Sequence, residues 1–451
     1  MINVGEIKIL APNCFKFERE YALTTVFCDF MNIPIKILYE DREDYKLSVN
    51  GWTISIENAF FAKNNNKEPL SYLYIDNIPQ TLIFQNVLGK ELPLMWGSGK
   101  YTFNGKNINL GNDLFAIVFF FLTQWEEFVL KKEYGLNKYQ KLDEQLLFVF
   151  RNGLQKHCLI NEIVNFFEFL LRKCGIEKCK KNKFNVMLTH DVDRCYLSSY
   201  EELCDNIYKM LLHGENERAK RILGDYLYYA HQNKNPFDSF NELMNISEFY
   251  GFKSHFYFKP CINGDLGYTY SINDDFVRNI LNSIRKRGHC IGLHATENTS
   301  GSFESLRLEY ERLLEAVGEN CILGGRTHGL IYDMSIMENL NALGLSYDSG
   351  VGFQNSNGFR TQVCYPYYVF DILKRKKLAL KEVPFMVMDS VALRNNMSAD
   401  DFFRDAMSVI EKVKMYNGCF VMNWHSNLFD VREREDFKNI YKEIVKYLST
   451  C

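Results

Sequence analysis

The sequence predicts an α/β protein in two parts: a distorted (β/α)7-type barrel over residues 181–451, preceded by a smaller α+β domain over residues 1–180. Three observations support this division. From residue 184 onward, short apolar runs alternate with amphipathic helices, which is the pattern of a parallel sheet with right-handed crossovers. Before residue 177, strands and helices follow no regular alternation. Residues 177–183 (EKCKKNK) form a basic segment without apolar periodicity, which indicates a linker.

The N-terminal part is predicted to combine short strands with two helices. Residues 112–129 carry apolar side chains at helical spacing, with Asn112 or Asp113 as the helix cap. A second helix is predicted over residues 161–174. Strands are predicted at residues 35–39, 52–57, 70–75 and 81–84.

The C-terminal part is predicted to contain seven strands, enough to close a barrel-like sheet. A long insertion at residues 197–237, helical and rich in Tyr, is expected to cap one rim. The predicted strands lie at residues 184–190, 253–258, 289–294, 321–326, 345–348, 382–388 and 418–424. The predicted helices lie at residues 238–250, 272–287, 303–317, 334–343, 399–416 and 433–449.

Composition excludes several classes of function. A net charge of −3 gives no basic surface for nucleic acid or an anionic membrane. The most apolar run, residues 114–122, is too short to span a bilayer, which takes about 20 residues. The first residues (MINVGEIKILAPN) do not resemble a signal peptide. Thirteen cysteines without metal-type pairs indicate reduced thiols and a cytoplasmic location.

Two carboxylates stand where the first strand of the C-terminal part ends. Phe184, Val186 and Leu188 alternate with other residues, and Asp191 and Asp193 follow. Carboxylates this close repel each other unless a cation or a shared proton holds them. The alternative is a strand exit with two solvated acids.

Other polar side chains collect at the predicted strand ends. Four of the nine histidines fall there, and Arg326 and Asp348 join them. The carboxyl ends of barrel strands face one pocket, so these groups are expected to converge. Carboxylate and imidazole ligands suit a divalent cation in metal-assisted hydrolysis. The four histidines are His190, His294, His328 and His425.

Four segments carry a family resemblance: LTHDVDR, RGHCIGLHATEN, GGRTHGL and FVMNWH. In this order they resemble the polysaccharide deacetylase family, carbohydrate esterases with a NodB-like domain, over residues 184–450. The resemblance implies that Asp191 is the catalytic base and that Asp193 and His294 bind the metal. It also implies that Arg326 orients the base and that His425 is the catalytic acid.

The sequence departs from the family pattern at two places. Asn298 stands where the family has its second metal-binding histidine, and Thr327-His328-Gly329 replaces an Arg-Pro-Pro-Tyr continuation. Asn298, His328 or His190 could complete a site for a divalent ion, zinc first among the candidates, or metal binding could be lost. The N-terminal part resembles an uncharacterised domain that precedes such deacetylases in bacteria.

These observations lead to two principal hypotheses. The first is a metal-dependent hydrolase that removes an acetyl or other acyl group from an amino sugar or saccharide. The alternative is a catalytically degenerate relative that binds saccharide or a protein partner. A hydrolase acting on peptidoglycan or a non-sugar amide is a third, weaker possibility. His255 and His289 are interpreted as structural, and Asp348 as a turn acid.

Overall fold

The computed structural model describes residues 7–64, 68–176, 182–197, 199–262, 269–296, 301–318, 322–431 and 434–451. Up to residue 176 short strands and helices alternate irregularly, as the sequence predicts. The strands are β1 (Ile7–Pro12), β2 (Ile35–Glu40), β3 (Tyr45–Val49), β4 (Trp52–Ile56), β5 (Ile83–Val87), β6 (Lys90–Leu94), β7 (Tyr101–Asn104) and β8 (Asn107–Leu110). The helices are α1 (Lys16–Thr24), α2 (Leu114–Thr123), α3 (Trp125–Glu133), α4 (Phe148–Arg151) and α5 (Leu159–Lys173).

From residue 182 the alternation of strand and helix is regular. The strands are β9 (Asn185–Val192), β10 (Ser254–Phe258), β11 (Cys290–Leu293), β12 (Ile322–Gly325), β13 (Tyr347–Asp348), β14 (Tyr367–Asp371), β15 (Lys376–Glu382), β16 (Val387–Met388) and β17 (Cys419–Asn423). The helices are α6 (Tyr200–Leu212), α7 (Asn216–His231), α8 (Phe240–Phe249), α9 (Asp275–Lys286), α10 (Phe303–Val317), α11 (Met334–Ala342), α12 (Asp389–Arg394), α13 (Ala399–Met415) and α14 (Glu435–Leu448).

The chain forms two compact units. The first comprises Met1–Asn185, Leu330–Met386 and Ser408–Phe420, and the second comprises Val186–Gly329, Val387–Met407 and Val421–Cys451. Later segments of the chain therefore belong to the same unit as the N-terminal residues. The predicted division of the sequence at residue 180 stays a prediction.

The first unit is built on a mixed sheet with strand order β2-β1-β3-β4-β8-β7. Helix α2 is buried along its whole length, and Phe115 from it stacks on Phe167 of α5 with ring centroids 5.5 Å apart. Asp113 caps α2, since its Oδ1 accepts a hydrogen bond from the Ala116 amide. This confirms one of the two predicted caps.

Two predictions for the N-terminal part are wrong in detail. The helix predicted over residues 112–129 is broken into α2 and α3, because Gln124 has a left-handed backbone with φ of 49°. The strand predicted at residues 70–75 does not form, and Leu70 also has a positive φ, 70°. A strand cannot continue through a residue in that conformation.

The second unit contains parallel strands in the order β12-β11-β10-β9-β17-β16. The pairs β9–β10, β10–β11, β11–β12 and β16–β17 are parallel. Parallel neighbours bring their carboxyl ends to one edge of the sheet, which is where the candidate residues lie. Closure of these strands into a seven-stranded barrel stays a prediction.

The strand predicted at residues 382–388 forms only at its two ends. Glu382 is the last residue of β15, and β16 begins at Val387. Pro384 lies between them and has no amide hydrogen for a strand ladder. In the first unit, β15 pairs antiparallel with β14, a hairpin that the alternating pattern did not predict.

Candidate metal centre

Three strand ends of the second unit bring a carboxylate and two imidazoles to one point. Asp193 follows β9, His294 follows β11, and His328 lies shortly after β12. One ligand atom from each lies within 4.8 Å of the other two. The Nε2 atoms of His294 and His328 are 3.4 Å and 3.5 Å from the same oxygen, Oδ1 of Asp193. The structure brings the three together; their role as ligands stays a prediction.

The spacing and hydrogen bonding of these residues fit a divalent cation. Two ligands bonded to zinc at about 2.0–2.1 Å lie about 3.3 Å apart in a tetrahedral site. The Nδ1 of His294 donates to the Arg326 carbonyl over 2.8 Å, which leaves Nε2 as the nitrogen with the lone pair. Among the described residues, this buried Nε2 has no hydrogen-bond partner. A metal ion would satisfy it.

Asn298, the fourth predicted ligand, lies outside the described residues. Its place in the site stays a prediction. His328 is about one-third exposed, so the group Asp193, His294 and His328 is open on one side. An open position is the arrangement of catalytic rather than structural zinc sites.

Both carboxylate oxygens of Asp191 accept a hydrogen bond from a side chain of the site. The Arg326 guanidinium donates to its Oδ1 over 2.7 Å, and the Asn423 amide donates to its Oδ2 over 2.8 Å. Burial by itself raises the pKa of Asp191, but the charges of Arg326, His294 and His425 together outweigh burial and lower this pKa to about 2. The carboxylate is therefore ionised, oriented and able to accept a proton.

Arg326 is positioned by a close approach of strands. Its guanidinium lies over the Tyr257 ring, 5.1 Å from the centroid, and also donates to Thr189. Tyr257 pairs with Gly292 of β11, where a Cβ atom would lie 2.4 Å from the Tyr257 ring. Only glycine leaves room for this ring, which explains a glycine within the RGHCIGLHATEN segment.

His425 is a third imidazole near Asp193, beside those of His294 and His328. Its Nδ1 donates to Asp389 Oδ1 over 2.6 Å, and its backbone amide donates to Asp389 Oδ2. Burial by itself lowers the pKa of His425, but the Asp389 carboxylate, with smaller contributions from Asp193 and Asp191, outweighs burial and raises this pKa to about 9. The Nε2 of His425 lies 3.8 Å from Asp193 Oδ2. A protonated imidazole therefore faces the candidate metal ligands.

His190 does not belong to the site, which removes one of the alternatives left open by the sequence. It alternates with Thr189 and Asp191 along β9, so its side chain lies on the opposite face of the sheet. There its two ring nitrogens meet the Trp424 carbonyl at 2.8 Å and the Ser254 hydroxyl at 3.1 Å. Burial lowers the pKa of His190 to about 4.

Two other residues have the structural roles expected for them. His289 accepts a hydrogen bond from the Ser254 amide at Nδ1, and its Nε2 contacts Glu248. Asp348, in the first unit, accepts a hydrogen bond from the Gly350 amide, as a turn acid does.

Three residues of the site were missed by the sequence reasoning. Lys259 places its Nζ 3.1 Å from Asp193 Oδ1, and Asn423 and Asp389 contact Asp191 and His425. Each lies at, or one residue beyond, the end of an observed strand. The sequence analysis considered mainly histidines and paired acids. Considering every polar residue at a predicted strand end could have found these three.

Comparison with known proteins gives a partial match. A family of unknown function, DUF7033, matches residues 7–175, which agrees with the resemblance noted for the N-terminal part. No curated protein is significantly similar in sequence. None of the helices in the described part of the chain has the length and apolar character needed to cross a membrane.

Several solved structures match part of this chain at low identity. A candidate polysaccharide deacetylase from Mycobacterium smegmatis has 13% identity and a TM-score of 0.39 over 61% of this chain and 86% of its own. A candidate polysaccharide deacetylase involved in O-antigen biosynthesis, from Bordetella bronchiseptica, has 15% identity and a TM-score of 0.30 over 58% and 81%. A 4-alpha-glucanotransferase from Thermococcus litoralis has 14% identity and a TM-score of 0.35 over 58% and 36%. These values are too low to identify an activity.

Proposed function

We propose that this protein is a metal-dependent hydrolase that removes an acetyl or other acyl group from an amino sugar or saccharide. The observation that supports it is the grouping of Asp193, His294 and His328 beside an ionised Asp191 and a protonated His425. Zinc is the proposed ion, because one carboxylate and two imidazoles suit a borderline divalent cation. The substrate class rests on the resemblance of the four sequence segments.

Asp191 is proposed as the general base. When bound, the cation would polarise the acyl carbonyl and make water more acidic. Asp191 accepts the proton of the attacking water, while Arg326 and Asn423 hold its two oxygens and fix its orientation. Orientation of this kind lowers the barrier because the carboxylate needs no rearrangement at the moment of proton transfer.

His425 is proposed as the general acid. Asp389 holds its Nδ1, so Nε2 is the nitrogen that faces the site and donates its proton. The water oxygen bonds to the acyl carbon and the carbon–nitrogen bond breaks. The leaving nitrogen takes the proton from His425, and Asp191 keeps the proton from water. The products are a carboxylic acid and a free amine on the sugar.

Two matched substitutions test this proposal. Asp191→Asn should reduce turnover of acetylated amino sugars about 100-fold or more while zinc content by elemental analysis stays unchanged. Asp193→Asn should reduce both turnover and zinc content. Asp401→Asn, at an exposed carboxylate on α13, is the control and should change neither.

The substrate panel includes plain amides beside acetylated amino sugars. Turnover confined to plain amides would contradict the saccharide assignment. Full turnover by the Asp191→Asn protein would contradict the general-base role. Metal-free protein that binds acetylated sugars without hydrolysing them would support the degenerate saccharide-binding alternative instead.

A further inference from the structure

Lys259 is a buried lysine at the centre of the candidate site. It directly follows β10 and is only 5% exposed. Its backbone amide donates to the Tyr270 hydroxyl over 2.7 Å, and that hydroxyl donates to the Val192 carbonyl over 2.9 Å. The Thr269 hydroxyl donates to the Asp193 carbonyl over 2.6 Å. These bonds fix the start of the Lys259 side chain beside the end of β9.

The Lys259 ammonium faces the carboxylate oxygen shared by the two imidazoles. Its Nζ is 3.1 Å from Asp193 Oδ1, closer than the Nε2 of either His294 or His328. Within the described residues, however, Oδ1 accepts no hydrogen bond. The contact is therefore an ion pair without hydrogen-bond geometry. An ammonium cannot serve as a metal ligand, since it has no lone pair.

Each of the other two carboxylates of the site has a partner of a different kind. Arg326 donates a hydrogen bond to Asp191, and His425 donates one to Asp389, each over less than 3 Å. Both partners approach in directions that also orient the carboxylate. Lys259 supplies Asp193 with a positive charge but does not orient the carboxylate by a hydrogen bond. A counter-ion that another cation can replace has these two properties.

We propose that Lys259 is the resident counter-ion of Asp193 and competes with a divalent cation for it. This inference rests on the proposed metal site. A cation bonded to Oδ1 at about 2 Å would lie at most about 5 Å from Nζ at its present position. Repulsion between such charges changes a binding constant more than tenfold even at an effective dielectric constant of about 20. The flexible four-carbon stem allows the ammonium to move aside when the cation enters.

Zinc titration calorimetry on the metal-free full-length protein tests the competition. Lys259→Met removes the charge and keeps much of the side-chain volume, so the Kd for Zn²⁺ should fall by at least tenfold. Lys253→Met is the control, because Lys253 is a half-exposed lysine that pairs with Glu248. Its Kd should stay within about twofold of the wild-type value. Lys259→Gln is measured in parallel and decides the question if Lys259→Met loses its cooperative thermal transition.

An unchanged or raised Kd in the folded Lys259 variant would overturn the inference. This outcome is distinct from failure of the proposed hydrolase. Suppose that the wild-type protein hydrolyses acetylated sugars with zinc, and that replacing Lys259 does not raise the affinity for zinc. This result contradicts only the proposed competition between Lys259 and the cation. A wild-type protein without zinc or turnover, whose Lys259→Met variant gains zinc binding, supports the competition and contradicts the hydrolase. Absence of zinc binding in every variant contradicts both.

Discussion

Replacing Asp389 with Asn should move the pKa of His425 and with it the pH dependence of the proposed reaction. The Asp389 carboxylate lies 2.6 Å from Nδ1 of His425 and contributes most to raising the imidazole pKa from 6.5 to about 9 against the opposing effect of burial. A shift of this size corresponds to about 3 kcal/mol in favour of the protonated form. The amide introduced by Asp389→Asn would keep a hydrogen-bonding oxygen but lose the charge, so the pKa should fall toward about 6.5. At pH 8 the protonated fraction would then fall from about nine-tenths to about one-thirtieth.

Histidine ring resonances in an NMR titration of the metal-free protein measure this pKa directly. In the wild type the resonance of His425 should titrate near pH 9, and in Asp389→Asn at least one unit lower. Stability provides a second readout. Because the pKa is raised in the folded state, the pair's contribution to the free energy of unfolding is complete below about pH 6.5. It is lost as the pH rises through about 9.

The control for this experiment is Asp401→Asn, which should leave the His425 titration in place. An Asp389→Asn protein that folds and still titrates near pH 9 would refute the account, since it would mean that another group supplies the charge. A pKa of His425 that stays near 9 in Asp389→Asn would also remove the reason for treating Asp389 as the residue that keeps His425, the proposed general acid, protonated.

Two further predictions concern stability. Arg326→Met leaves the buried Asp191 carboxylate without its positively charged partner, so the free energy of unfolding in urea should fall by about 3–5 kcal/mol. A decrease below about 1 kcal/mol would show that the pair is not buried as described. The pKa of His190 is lowered to about 4 by burial, so its destabilising effect should be absent above about pH 6.5 and grow as the pH drops toward 4. His190→Phe should flatten the resulting decline in stability by up to about 3 kcal/mol, and parallel stability curves for the two proteins would contradict the assignment.

Much of the second unit could be predicted because its strands are short, apolar and separated by periodic helices. β9, β10, β11, β12 and β17 all lie within the predicted strands or within two residues of them. The β14–β15 hairpin was missed, because its strands follow one another without an intervening helix. The break at Pro384 was missed because residues 382–388 read as one apolar run. The sequence does not show at which positions a backbone amide must pair with a neighbouring strand, and proline has no such amide.

The site could be predicted in part for a related reason. Asp191 and His294 stand in segments whose residue types point to catalysis even in isolation. Lys259, Asp389 and Asn423 are ordinary residues in sequence, and their importance depends on which side chains lie opposite them. Which side chains lie opposite them depends on strand register and tertiary structure. His190 shows the reverse case: it adjoins Asp191 in sequence, but the pleat of β9 turns it away.

The close packing of the Tyr257 ring on Gly292 makes a residue without a side chain part of the geometry of the candidate site. The ring supports the Arg326 guanidinium, and the guanidinium orients Asp191. A single methyl group added at position 292 would push the Tyr257 ring, and the displacement would reach Asp191, the proposed base. Gly292 would therefore contribute to the proposed reaction only through the space it leaves, and a variant at this position would resemble a folding defect although it acts on the orientation of Asp191.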